Sequence, residues 1–423
     1  MKYAIALGGG GARGAYQIGV YKALKEMNIE ITAVLGTSVG AINAAAFTLN
    51  KFEEAKKLWE ELDYSKIACF EKHNFMNKTN ISILEFIREF AYHKGIDISP
   101  LKRLLNNFVE EDKLRESEIE FGIVTASISD MKPYVLFEKD IPKGQIVDYI
   151  LASAALPIFQ KQEINGKIFI DGAIYDSVPI NELIQRGYKN IIGIEISNLG
   201  MRRKYDKNKA NIILIKHSES LGKYLEFSKE SIKRNIQIGY LDAKKAFGLN
   251  YGHKYYLIKE KNNDIEPVTQ EELEMLFKPL KTKGEENIRK QILKTLKKHI
   301  NGKISKENSI IAAMEITAEV LNIDRAKEYT ALQLTNEILT IHSQIKRNKR
   351  SSMKSMSKYI WQKNKIKFNK RNMQKLFTPY VIKEKDLPSI MMLITLPKLY
   401  IANLYIYIML WRKNKEQGLN EVN

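Results

Sequence analysis

Ser38 stands between two glycines in Gly36-Thr37-Ser38-Val39-Gly40, just after the apolar run Ile31 to Leu35 and ahead of a helix-compatible segment. A serine on a strand-to-helix turn points its hydroxyl away from a sheet, and glycines at 36 and 40 admit the crowded backbone this requires. The chemistry such a turn serves is nucleophilic attack on an acyl carbon. Upstream, Gly8-Gly9-Gly10-Gly11-Ala12-Arg13-Gly14 joins the run Tyr3 to Leu7 to a helix starting near Ala15, which is the composition of an anion-binding loop. Gly9-x-Gly11-x-x-Gly14 satisfies a dinucleotide fingerprint, with Glu30 as the ribose-binding acid. The same loop can hold the oxyanion of acyl transfer, with Arg13 adding positive charge or bracing the backbone. The adjacent serine turn favours the oxyanion, because a dinucleotide site has no use for it.

A serine nucleophile needs a base. Only His217 and His253 come late enough in the sheet-forming part for a serine, acid, histidine order, and neither sits in a recognisable catalytic turn. His73, His93, His299 and His342 fall in helical or loop patterns. Asp171, in Asp171-Gly172-Ala173, follows the strand Lys167 to Ile170. A carboxylate there can take the serine proton directly where burial raises its pKa, and an Asp-Gly pair equally starts an ordinary turn.

These residues need a scaffold. Short apolar strands alternate with helical patterns at Tyr3 to Leu7, Ala15 to Met27, Ile31 to Leu35 and Val39 to Leu49, the rhythm of a parallel α/β sheet. Further strands are expected at Glu120 to Ala126, Tyr134 to Glu138, Lys167 to Ile170, Asn190 to Ile196, Asn211 to Lys216 and Lys254 to Lys259. Phe52 to Pro100 reads as mostly helical, a cap over the sheet. The expected division is 1–260 for the sheet domain and 261–423 for a basic α-helical region. The latter begins with a capping box from Thr269 to Glu272 and continues through helices at Glu285 to Ile300, Asn308 to Leu321 and Asp324 to Lys346.

Of the net charge of +19, the first 200 residues supply −3 and the remainder +22. Lys346 to Lys415 holds 18 basic residues against Glu384 and Asp386. That density serves either a solvated face or attraction to an anionic surface, and no nucleic-acid-binding module accompanies it. The apolar stretch 387–411 reads as a buried helix, an interfacial segment or a membrane span, with Pro397 and Lys398 opposing the last. A single cysteine, Cys69, excludes an internal disulfide and a zinc cluster, so no cofactor or metal is expected. Met1-Lys2 runs straight into a strand with no signal peptide pattern, so the expected location is the cytoplasm, peripheral at the inner membrane face.

Together the loop Gly8 to Gly14, the turn Gly36 to Gly40, the segment Ala152 to Phe159 (ASAALPIF, with Pro157) and Asp171 to Ala173 followed by Val178-Pro179 resemble the patatin-like phospholipases. The resemblance covers about residues 4–185. It implies a three-layer α/β/α fold with a mostly parallel sheet and a metal-free Ser-Asp dyad. Ser38 would be the nucleophile, Asp171 the general base, and the N–H groups of Gly9, Gly10 and Gly11 the oxyanion hole; Arg13, Gly14, Gly36, Gly40, Gly172 and Pro157 would support the motifs. The implied substrate is a phospholipid or another acyl-ester lipid, hydrolysed through an acyl-serine. Asp176, where family members often carry asparagine, is expected to raise the pKa of Asp171 if the two are close. The alternatives are an acyltransferase or thioesterase using the same dyad, a membrane-binding protein with a vestigial catalytic domain, and a nucleotide-dependent oxidoreductase.

Overall fold

Lys2–Leu7 (β1), Glu30–Thr37 (β2), Glu120–Ser127 (β3), Asn190–Glu195 (β7) and Asn211–Lys216 (β8) run parallel in one sheet of eight strands. Lys132–Phe137 (β4), Gln162–Ile164 (β5) and Lys167–Asp171 (β6) complete it in antiparallel pairs, giving the order β5-β6-β3-β2-β1-β7-β8 with β4 also paired to β3. Central strands covered on both faces lose the apolar-polar alternation, and β1 is buried at every position from Tyr3 to Leu7. Pro133 sits in β4, a strand that pairs only with β3, where one missing donor is tolerated. The computed structural model describes residues 1–68, 95–197, 200–258, 269–277, 285–347 and 397–417.

The register of β3 decides where the site forms. β4 occupies one edge of β3 from Gly122 to Ser127, so β2 and β6 must share the other. Thr37, the last residue of β2, lies opposite Val124, and Asp171, the last of β6, lies opposite Thr125. The two strands thus end on adjacent residues of β3. The helices Ala15–Glu26 and Lys229–Ala246 pack backbone to backbone on this sheet: a Cβ on Gly19 would fall 1.8 Å from the Ile236 carbonyl. The helix Lys229–Ala246 had no counterpart in the sequence reading.

The first compact unit is Met1–Phe247 and the second Gly248–Asn423, so the division falls ahead of the 260 read from the sequence. The strand expected at Lys254 to Lys259 does not extend the large sheet. It is reduced to Tyr256–Leu257 (β9), paired in parallel with Glu328–Tyr329 (β10), because Tyr255, Leu257 and Tyr329 are buried in the core of the second unit. There the capping box forms, with the Glu272 N–H donating to Thr269 Oγ1 at 3.2 Å and the Thr269 N–H to Glu272 Oε2 at 2.9 Å. Helices Glu285–Ile300, Lys306–Val320 and Ala331–Arg347 surround Pro397–Glu416. This last helix buries Tyr400, Ile401, Leu404, Tyr405 and Ile408. Lys398 near its start pairs with Glu319 at 2.7 Å, and Arg412 near its end grips the buried Glu272 through Nη2 at 2.6 Å. Of the three readings of 387–411, the buried helix therefore describes residues 397–411; residues 387–396 and most of the basic stretch lie outside the described residues. Among the described residues no helix is long and apolar enough to cross a membrane.

Candidate active site

Ser38 follows β2 with φ 58° and ψ −129°, a conformation that non-glycine residues hold only under constraint. Three bonds supply the constraint. The Ser38 N–H donates to Ser153 Oγ at 2.9 Å, the Ser153 hydroxyl donates to the Val124 carbonyl at 2.6 Å, and the Ser38 carbonyl accepts the Ala41 N–H at 2.8 Å. Ser153 thereby carries the β2–β3 ladder one step past the point where the β2 backbone turns away. The same segment holds β6, because the Asp171 N–H donates to the Ala155 carbonyl at 2.9 Å. Ser153 is fully buried, so Ser153→Ala leaves the Ser38 N–H without its acceptor. The expected cost is about 1–3 kcal/mol. Urea unfolding measures it, and a midpoint equal to wild type would show that the turn holds itself.

The hydroxyl of Ser38 donates to Asp171 Oδ2 at 2.6 Å. Asp171 Oδ1 accepts the Ala173 N–H at 2.8 Å, which orients the carboxylate. Burial pushes the Asp171 carboxyl up to about 6, against smaller downward effects of the Ser38 and Ala173 donors. Asp176 is not among the causes, contrary to the sequence expectation. Its own carboxyl is raised to about 6 by burial, and its carbonyl accepts the Thr37 hydroxyl at 3.0 Å. Among the described residues no histidine is bonded to either dyad member: His217 bonds the Glu219 carbonyl, and His253 lies in the second unit.

The glycine loop lies against the serine, since a Cβ on Gly9 would come 3.1 Å from Ser38 Cβ. The Gly9 N–H, however, donates to the Ser177 carbonyl at 3.0 Å, so it is already engaged. Of the three expected loop donors, Gly10 and Gly11 have N–H groups with no acceptor among the described residues. Gly11 adopts φ +57° and passes so near Tyr224 that a Cβ would fall 2.2 Å from its carbonyl oxygen. Arg13 braces this loop: its Nε and Nη2 donate to the Gly222 carbonyl at 3.0 and 2.6 Å, and its guanidinium stacks 3.8 Å above the Tyr224 ring. Gly14, Gly36, Gly40 and Gly172 all sit where a Cβ would meet a neighbour within 2.6 Å. Pro157 is exposed on the turn after helix Ile146–Ser153. Glu30 starts β2 beside Lys2, at the opposite end of the strands from the glycine loop, which removes it as a ribose ligand.

A cavity of about 120 Å³ opens onto Ser38 and is walled by Leu58, Trp59, Leu105, Phe108, Leu156 and Phe227, among others. Helix Phe52–Glu60 from the expected cap contributes to it, and so does helix Ser99–Phe108, whose lining residues lie beyond the expected end of the cap at Pro100; residues 69–94 lie outside the described residues. Among the described residues the one side-chain amide in the wall, Asn43, already accepts from Trp59 Nε1 at 3.0 Å and donates to Gly14 and Gln17. The lining therefore offers hydrocarbon surface and little unpaired polarity. No group of three His, Cys, Asp or Glu among the described residues is arranged for a metal ion. A hydroxyl bonded to a buried carboxylate, beside free N–H donors and an apolar cavity, is a set of parts for acyl transfer.

Residues 5–184 match the patatin-like phospholipase family model. Patatin-like phospholipase domain-containing protein 7 of Rattus norvegicus is 25% identical over 205 residues, which are 46% of this chain and 14% of that protein. Lysophospholipase NTE1 of Candida albicans is 24% identical over 205 residues, 47% of this chain and 13% of its own length. The chain thus spans about one seventh of these curated relatives. Among solved structures, VipD from Legionella pneumophila aligns with a TM-score of 0.40 and 14% identity, over 96% of this chain and 91% of that one.

Proposed function

We propose that the chain, whose residues 5–184 match the patatin-like phospholipase family model, hydrolyses fatty-acyl esters of lipids, as a phospholipase A or lysophospholipase, through a Ser38–Asp171 dyad. The observation that carries this is the 2.6 Å bond from the Ser38 hydroxyl to a carboxylate whose pKa burial raises to about 6. Ser38 Oγ attacks the ester carbonyl while its proton passes to Asp171 Oδ2. The carbonyl oxygen, now an anion, is met by the N–H groups of Gly10 and Gly11, and the acyl chain lies in the apolar cavity. The tetrahedral intermediate collapses, the alcohol leaves with the proton from Asp171, and the acyl-serine remains. Asp171 then takes a proton from water, whose hydroxide attacks the acyl carbon; Ser38 regains its proton and the fatty acid departs.

Wild type incubated with mixed-headgroup liposomes is expected to release fatty acids and lysolipids, read by mass spectrometry, while Ser38→Ala releases neither. Acyl esters formed on an added alcohol in place of free acid would make it a transferase. Because the base must be ionised, kcat/KM on a soluble ester should fall about tenfold per pH unit below about 6 and level off above it. A pH profile flat down to 4.5 would remove Asp171 from the base role. The excess of positive charge in residues 201–423 supports peripheral association with anionic membranes.

A further inference from the structure

Three helices send one polar side chain each toward the glycine loop, and the three are bonded in a row. Trp59, in the last turn of Phe52–Glu60, donates its indole N–H to Asn43 Oδ1 at 3.0 Å. Asn43, on Val39–Thr48, donates through Nδ2 to the Gly14 carbonyl at 3.0 Å and to Gln17 Oε1 at 2.8 Å. Gln17, on Ala15–Glu26, donates through Nε2 to the Gly8 carbonyl at 2.7 Å. All three side chains are buried, Gln17 completely. A buried amide is costly unless it is hydrogen-bonded, and this row gives each one its partners.

The row has a direction. An indole nitrogen can only donate, so Asn43 must turn its oxygen to Trp59 and its amino group to the loop; Gln17 must then present its oxygen to Asn43 and its amino group to Gly8. The two carbonyls reached in this way, at Gly8 and Gly14, bound the glycine loop. Between them lie Gly10 and Gly11, whose N–H groups have no acceptor among the described residues. The other side of the loop is held separately, by the Ala12 N–H on the Tyr224 carbonyl at 2.7 Å and by Arg13 on the Gly222 carbonyl. A run of glycines has little conformational preference of its own, so what grips it sets its shape.

We infer that Gln17, Asn43 and Trp59 are positioning residues that fix the curvature of the loop from Gly8 to Gly14 and so aim the Gly10 and Gly11 N–H groups at the oxyanion formed when Ser38 attacks. The inference rests on the acyl-transfer reading of the site. Asn43 and Trp59 also wall the cavity, so an acyl chain packs against the same side chains that hold the oxyanion donors. Gln17 is not in that wall, and its effect passes through the loop alone.

Donors aimed at a charge that develops only in the transition state act on kcat more than on KM. The test measures p-nitrophenyl hexanoate hydrolysis by the full chain, per active site titrated with a fluorophosphonate. Gln17→Met keeps the length of the side chain and removes its donor. It should lower kcat about 10–100-fold, the scale of a misplaced oxyanion donor, with KM within about threefold. Trp59→Phe keeps a ring in the wall and frees Asn43 to turn over, and should lower kcat about three- to tenfold. The double variant should lose no more than about threefold beyond Gln17→Met, because a row that fails as a unit is not additive. A hexyl trifluoromethyl ketone, which Ser38 Oγ converts to a tetrahedral alkoxide while its proton passes to Asp171, should lose affinity in step with kcat/KM. A hexyl ether, which forms no oxyanion, should bind Gln17→Met and wild type alike. The pH profile should keep its midpoint near 6, since Asp171 is untouched.

A merely structural role would lower the urea midpoint and the yield of titratable sites but not the turnover of each site. A kcat per site within twofold of wild type therefore overturns the inference, as does a ratio of ketone to ether affinity that equals wild type. If Gln17→Met does not fold, Trp59→Phe decides by the same two readouts. Losses on the soluble ester as expected, with no hydrolysis of ester-linked vesicles by wild type, would leave the positioning role standing and defeat the lipid assignment. Variants like wild type on a soluble ester that wild type cleaves would do the reverse.

Discussion

Ser38→Ala will lower kcat for acyl-ester hydrolysis by a factor on the order of 10⁶ and abolish labelling by a fluorophosphonate, because among the described residues no second hydroxyl is held on Asp171. The residual rate will reflect whatever the glycine-loop donors and the cavity contribute without a covalent intermediate. The substitution also removes the donor that holds the Asp171 carboxyl down, so its pKa moves further above 6. The fold should survive, since the Ser38 N–H keeps its bond to Ser153 and the side chain loses one atom. Turnover within tenfold of wild type in a correctly folded Ser38→Ala protein would end the dyad mechanism.

Asp171→Asn separates catalysis from stability. An amide cannot accept the serine proton, and a fall in kcat on the order of 10⁴ is expected. Stability moves the other way. Burial raises the carboxyl from its ordinary 3.8 to about 6, so the native state binds its proton more tightly than the unfolded chain does. That contribution is complete below about 4 and disappears as pH passes 6; at pH 7 and above the folded protein holds an unfavourable buried charge. Asparagine carries no charge, so the variant should be more stable than wild type by about 1–3 kcal/mol at pH 7.5, with the gap closing toward pH 4. Paired urea titrations at the two pH values measure this, and a variant less stable at pH 7.5 would mean that the carboxylate is held by stronger interactions than its two donors.

Much of the site was legible because its chemistry depends on residue types at fixed local spacing. Glycines beside Ser38 and along Gly8 to Gly14 mark places where backbone approaches backbone, and that demand shows in the sequence wherever it occurs. Asp171 was less plain, since an Asp-Gly turn has innocent uses. Its meeting with Ser38 depends on β2 and β6 sharing one edge of β3, a pairing between residues 133 positions apart that no local pattern encodes. The Gly9 N–H was counted as free because its acceptor, the Ser177 carbonyl, comes from chain still more distant in sequence. Ser153 was hidden for a related reason: a serine at a helix end has many local roles, and only the tertiary structure sets it under the serine turn. The strand near 256 was misplaced because a run of four apolar residues, Tyr255 to Ile258, carries no record of which sheet it joins.

The end-to-end arrangement of β2 and β6 along β3 also governs how this protein can change. The separation of Ser38 from Asp171 is a repeat distance of the β backbone, insulated from the lengths of the connections between those strands. Insertions or replacements between Leu49 and Ile119, which include helices walling the cavity, can remodel what the site accepts while the reacting pair stays in register. Chemistry and selectivity are in this way inherited on different parts of the chain, and an engineer seeking a new substrate has a stretch to vary that carries neither member of the dyad.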